Sequence, residues 1–317
     1  MPIPIARRLA LLLSVSLLLV ACGDERTTSG NGSEAGSESP LVVAAFYPLQ
    51  FLAERVAGEH ADIAGLTPAG VEPHDLELTA RQITTLLEAD LLLYVGQGFQ
   101  PAVEDLIDQV EGEKLDVLAG SDLIPGTDDH DDDHDDDHDD EDGHEEGEFD
   151  PHVWLDPTRM AQITRGVEQR LSAVDPDNST DFKQNAEGLI AELEALDQEF
   201  AAGLAQCDRR EIVTSHSAFG YLVARYDLEQ HGISGLDPES EPGPQRLAEV
   251  ASLVREEGVT TIFFETLLPP DLAETIARET GTKTAVLDPL ESEPESGDYL
   301  SAMRANLGAL RAALDCS

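Results

Sequence analysis

Four histidines and fifteen carboxylates crowd into the twenty-one residues between Asp128 and Glu148, with no Lys or Arg among them. Burying unpaired charge is costly, so no ordinary core can hold this tract and it must sit in water. Imidazole and carboxylate at this density attract metal ions. His130, His134, His138 and His144 are therefore candidates for a weak, multi-site metal loop. His130, His134 and His138 recur every four residues, but the surrounding like charges oppose a stable helix. Immediately beyond lies Asp150-Pro151-His152-Val153-Trp154, where apolar patterning resumes.

Five histidines lie outside the tract. His60 sits at the end of an expected helix and His231 inside an expected strand, and both read as structural or surface residues. The other three share a topology. His74, in Val71-Glu72-Pro73-His74-Asp75, follows the second expected strand. His152 follows the fourth. His216, in Ser215-His216-Ser217-Ala218-Phe219, stands at the tip of the first strand of a second half. Asp288, in Leu287-Asp288-Pro289-Leu290, follows the last strand. All four lie at carboxyl ends of strands, the edge where open α/β sheets bind ligands. Three neutral imidazoles and one carboxylate suit tetrahedral Zn²⁺ and leave a net charge of about +1.

The elements that must carry these residues alternate. Strands are expected at residues 41–46, 61–66, 90–95 and 114–118, with helices at 49–58, 79–88 and 101–110. The second half repeats the pattern, with strands at 211–215, 229–233, 260–264 and 283–287. Its helices fall at 218–226, 245–257, 270–280 and 299–314. Short strands separated by ten-residue helices imply βαβ units and parallel sheets. Between the halves, residues 157–174 and 180–205 read as helices. In the second, Phe182, Leu189, Ile190, Leu193, Leu196, Phe200 and Leu204 fall at helical spacing. At 1.5 Å per residue it is about 39 Å long, enough to run along both lobes. The expected fold is two parallel-sheet α/β lobes joined by a long connector helix, with a metal cleft between them. The domain plan is 41–157 for the first lobe, including the loop 128–148, then linking helices over 158–206, and 207–317 for the second lobe.

The first forty residues have a different role. Arg7 and Arg8 precede an apolar stretch from Leu9 to Val20, too short for a comfortable membrane span. Leu19-Val20-Ala21-Cys22 resembles a bacterial lipobox, which makes 1–22 a signal peptide and Cys22 the lipidation site. Residues 23–40 read as a flexible tether. Cys207 and Cys316 then form a candidate disulfide in an oxidising compartment. The formal charge is −46, of which the His/Asp tract contributes −15 and all other residues −31. Such a surface repels nucleic acid and attracts cations.

Four segments resemble the metal-binding receptors of ABC importers, the ZnuA/TroA-like family of zinc and manganese proteins. They are Glu72-Pro73-His74-Asp75-Leu76-Glu77, Asp150 to Pro157, Ser215 to Leu222, and Leu287-Asp288-Pro289-Leu290. The resemblance implies one divalent ion in the cleft, held at His74, His152, His216 and Asp288, with Glu72 or Glu265 as fallback oxygen donors. Leu76 departs from the family, which has Tyr there. Manganese-type members usually carry Glu at the position of His216, so the His and the acidic loop favour zinc. The implied protein is a monomeric receptor, lipid-anchored at the outer face of the cytoplasmic membrane. It would deliver Zn²⁺ to an ABC permease with its ATPase. A manganese receptor and a surface adhesin are the alternatives. A zinc hydrolase is disfavoured: there is no His-Glu-x-x-His helix, and a carboxylate as fourth ligand would close the site to water.

Overall fold

The computed structural model describes residues 39–126 and 149–317. Cys22, the segment 1–38 and the loop 128–148 with His130, His134, His138 and His144 lie outside the described residues. Among the described residues, no helix is long and apolar enough to cross a membrane.

The first lobe is built on β1 (Leu41–Ala44), β2 (Asp62–Gly65), β3 (Leu91–Tyr94) and β4 (Glu113–Asp116), parallel and ordered β2-β1-β3-β4. The second repeats this with β5 (Glu211–Thr214), β6 (Glu229–Gly232), β7 (Thr261–Phe264) and β8 (Lys283–Val286), ordered β6-β5-β7-β8. In the first sheet the central strands β1 and β3 are apolar runs covered on both faces, whereas edge strands β2 and β4 are half-exposed. In both sheets the chain reverses its winding between the two central strands. That reversal opens a crevice at their carboxyl ends.

Helices α1 (Tyr47–Ala57) and α2 (Ala80–Leu87) cross over between strands of the first lobe. Gly58, at φ +60°, ends α1 in the left-handed region, and Thr79 with Gln82 forms a capping box on α2. One expected helix is broken. Residues 101–110 form α3 (Pro101–Glu104) and a separate 3₁₀ turn, Ile107–Gln109. Lys114 Nζ donates to the carbonyls of Ile107 and Val110, where a continuous helix would have ended.

The lobes meet over α4 (Pro157–Val174) and α5 (Ser179–Leu204). Asp156 caps α4 by accepting from the Thr158 amide at 2.8 Å. The 26-residue α5 buries Phe182, Ala186, Leu189, Leu193, Leu196, Phe200 and Leu204 along one stripe. It packs on α1 and α4 and, further along, on α6 (Gly220–Tyr226) and α9 (Tyr299–Leu314). One continuous core therefore runs from Val42 of the first sheet through Leu193 to Phe263 of the second. Smaller cores back each sheet on its far side, around Val43, Leu92 and Val103 in one lobe and Val213, Ile262 and Ile276 in the other. The second includes residues of α7 (Pro244–Glu256) and α8 (Asp271–Thr280). Cys207 and Cys316 are bonded (S–S 1.98 Å), joining the segment beyond α5 to the end of α9.

Candidate metal centre

Three imidazoles and one carboxylate converge between the lobes. Donor atoms of His74, His152, His216 and Glu291 all lie within 4.8 Å of one another. His152 Nε2 stands 3.4 Å from His216 Nε2 and 3.2 Å from Glu291 Oε1. The same Oε1 is 3.6 Å from His74 Nε2 and 3.8 Å from His216 Nε2. Tetrahedral zinc with bonds of about 2.0–2.1 Å needs ligand atoms about 3.3 Å apart. The observed separations bracket that edge. His74 Nε2 and both Glu291 oxygens are buried without a hydrogen-bond partner, which native interiors rarely allow. A divalent ion would satisfy all three.

Each donor is delivered by a different local device. His74 rides the irregular stretch beyond β2. Its ring edge meets Phe99 (centroids 4.5 Å apart), and its backbone amide donates to Glu72 at 3.3 Å. His152 enters a short 3₁₀ turn, Val153–Leu155, with Asp150 Oδ1 2.8 Å from its Nδ1. His216 leaves the tip of β5 with its Nδ1 2.5 Å from Glu265 Oε1, which also accepts from Ser215 Oγ.

The fourth position differs from the expectation. Asp288 is not in the cluster; Glu291 is. Asp288 instead holds the turn, accepting from the Leu290 amide at 2.8 Å and from Thr266 Oγ1 at 3.4 Å. Asn306 brackets its backbone from both sides. Leu290 is forced to φ +61°, a left-handed conformation rare for a branched residue. This turn presents Glu291 to the three imidazoles. The signal was a carboxylate three residues beyond Asp288, but its direction depends on a backbone angle that spacing does not encode. Neither fallback donor joins the cluster. Glu265 is engaged with His216, and Glu72 lies against the His74 backbone. His60 pairs with Asp181 at 3.1 Å, and His231 with Glu211 at 2.7 Å on the sheet of the second lobe.

The electrostatics follow from burial and these neighbours. Burial pushes the His74 imidazole down. It acts the same way on His152, but Asp150 and Glu291 outweigh it and hold that imidazole up at about 9. Burial would raise Glu291, yet His152 and His74 hold it well below the usual carboxylate range. Glu72 is pushed up to about 9 by burial and then by Glu291. Beside His74 lies a cavity of about 210 Å³, lined also by Asp75, Phe99, Phe149 and Leu236.

Residues 42–313 match the family model for the zinc-uptake complex component A, periplasmic (ZnuA). The chain belongs to this family. It is 36% identical over 323 residues to the zinc-binding lipoprotein AdcA of Streptococcus pneumoniae, covering 98% of this chain and 61% of that relative. It thus spans about three fifths of the AdcA length. The zinc uptake protein ZnuA of Bacillus subtilis is 34% identical, with 94% of each chain covered. Among solved structures, the Zn(II)-bound ZnuA-like domain of Streptococcus pneumoniae AdcA superposes with a TM-score of 0.72 at 35% identity. That match covers 87% of this chain and 99% of the other. The laminin-binding protein Lmb of Streptococcus agalactiae, described as an adhesin with metal-transporting activity, reaches 0.76 at 29% identity, covering 87% and 99%.

Proposed function

We propose that this ZnuA-family chain is an extracytoplasmic zinc receptor that captures Zn²⁺ in the interlobe cleft and delivers it to an ABC-type permease. The observation that carries this reading is the convergence of His74, His152 and His216 Nε2 on Glu291. Three neutral nitrogens and one carboxylate match the donor preference of zinc, whereas Mn²⁺ favours more oxygen. Two zinc-named relatives, one of them similar along nearly its whole length, support the same ion. Four protein donors leave no open position for an activated water, so the site captures and releases its ion without catalysis.

Binding follows from the geometry. The donors are already gathered, so little ordering is needed when the ion arrives. The ion replaces the proton on His152 Nε2 and gives Glu291 and His74 Nε2 a common partner. A diacylglyceryl anchor on Cys22 holds the chain at the outer face of the membrane. The loop 128–148, with His130, His134, His138 and His144, serves as a weak metal collector. The division into a first lobe at 41–157, linking helices at 158–206 and a second lobe at 207–317 belongs to the same proposal.

The test is a competitive metal titration of the chain with and without residues 128–148. One tight zinc per chain in both forms, preferred over manganese and lost in His216→Ala, is the expected result. No tight site once the loop is removed would move the binding function to the loop and overturn the cleft reading.

A further inference from the structure

Two buried carboxylates stand behind the donors without joining them. Asp150 and Glu265 are each only 2% exposed. Burying a carboxylate is costly unless it is paired, and each is paired with one imidazole. Asp150 Oδ1 takes the backbone amide of His152 at 2.9 Å and lies 2.8 Å from its Nδ1. Glu265 Oε1 lies 2.5 Å from His216 Nδ1. An imidazole whose Nδ1–H donates to a carboxylate offers Nε2 as its free donor, and its ring cannot turn over without breaking that bond.

The anchors of the two rings are also unequal between lobes. Residues 150–154 are tied mainly to the second lobe. Tyr221 Oη donates to the Asp150 carbonyl at 2.9 Å, Trp154 Nε1 to the Pro289 carbonyl at 2.7 Å, and Tyr299 Oη to the Trp154 carbonyl at 2.5 Å. Gly220 leaves room for the Asp150 carboxylate, because a Cβ there would overlap its Oδ2. The segment's contacts with the rest of the first lobe are one backbone bond, the Asp150 amide donating to the Ile124 carbonyl at 3.0 Å, and apolar packing through Phe46 and Phe99. His74 has no comparable support. Among the described residues its Nδ1 makes no hydrogen bond, and its ring borders the cavity.

Building on the zinc reading, we propose that Asp150 and Glu265 are positioning residues that fix His152 and His216 with Nε2 toward the ion. The second lobe, with the 150–154 segment bonded to it, then carries a ready three-donor half-site, His152, His216 and Glu291, and His74 closes it from the loop beyond β2. Capture begins on the half-site, and release begins with loss of His74.

The test uses the full chain loaded with one equivalent of zinc, read by chelator competition, chelator-triggered release and proton NMR of the imidazole ring N–H groups. Asp150→Ala and Glu265→Ala each weaken zinc by about 10- to 100-fold. Asp150→Asn and Glu265→Gln, whose amide oxygens still accept the bond, recover most of that loss. Each alanine variant also abolishes the slowly exchanging Nδ1–H signal of its own histidine and leaves the other. His74→Ala keeps one zinc with faster release, whereas His216→Ala loses it. The proposal is overturned if both alanine variants bind within about twofold of the parent. It is equally overturned if the ring signals do not move, or if His74→Ala is as damaging as His216→Ala. A parent chain with no tight zinc would instead strike the receptor reading itself.

Discussion

The two sheets share one strand order yet furnish the cleft with opposite chemistry. Two residues beyond β1 stands Phe46; two beyond β5 stands His216. One residue beyond β3 stands Val95; one beyond β7 stands Glu265. The first lobe fills its switch point with apolar side chains, Phe46 meeting Trp154 at a centroid distance of 4.7 Å. The second fills the same point with a bonded imidazole and carboxylate. The first lobe's own donor, His74, is displaced to the loop beyond β2. A topological switch point supplies a location, and the residues placed there decide whether it grips a ligand or packs against its neighbour.

The sharpest way to break this comparison is at the second lobe's turn. Glu291→Ala should abolish tight zinc binding, a loss beyond the roughly 100-fold limit for residues acting through a ligand, while Asp288→Ala costs less than about tenfold. Equal losses in a chelator competition would return the fourth position to Asp288. Next comes the helix that serves both lobes. Leu193→Ala, fully buried in α5, should cost about 2–5 kcal/mol in urea unfolding and shift both lobes together. Two separate transitions would show that the shared core does not couple them.

A smaller effect separates His74 from His152. The metal-free protein holds His152 protonated up to a pH of about 9, and zinc must displace that proton. Affinity should therefore rise with pH by at most about tenfold per unit between pH 7 and 9, then level off. Calorimetry in buffers of different ionisation enthalpy should find about one proton released near pH 7.5. His74, pushed down by burial, adds nothing in that window. The smallest effect is on the surface. Arg304 pairs with Glu199 at 2.8 Å between α9 and α5, both exposed, and Arg304→Ala should change stability by no more than about 1 kcal/mol.

Much of this was legible in the sequence because period-two and period-3.6 patterns are local. The eight expected strands all recur, one or two residues shorter, with β4 beginning one residue early, as do the apolar stripe of α5 and the proline start of α4; α7 begins one residue before its expected start, at Pro244. The three histidines were legible because strand-end placement follows from topology. Asp288 was misplaced because spacing does not show a left-handed Leu290. The break after α3 is not visible in the pattern of residues 101–110; the carbonyls of Ile107 and Val110 are taken by Lys114 Nζ from β4, a contact that lies outside that stretch. The pairing of Glu265 with His216 joins segments 49 residues apart, which no local window spans, and although Asp150 stands two residues from His152, spacing alone does not aim its carboxylate at Nδ1.

The chain holds a single tryptophan, and it is Trp154. Its indole is fully buried, donates to the carbonyl of Pro289 in the Glu291 turn, and lies 5.1 Å from the His152 ring. All indole fluorescence of the protein thus originates beside the donors, in a side chain that touches both lobes. Its emission is a built-in optical readout of cleft occupancy, free of any attached dye.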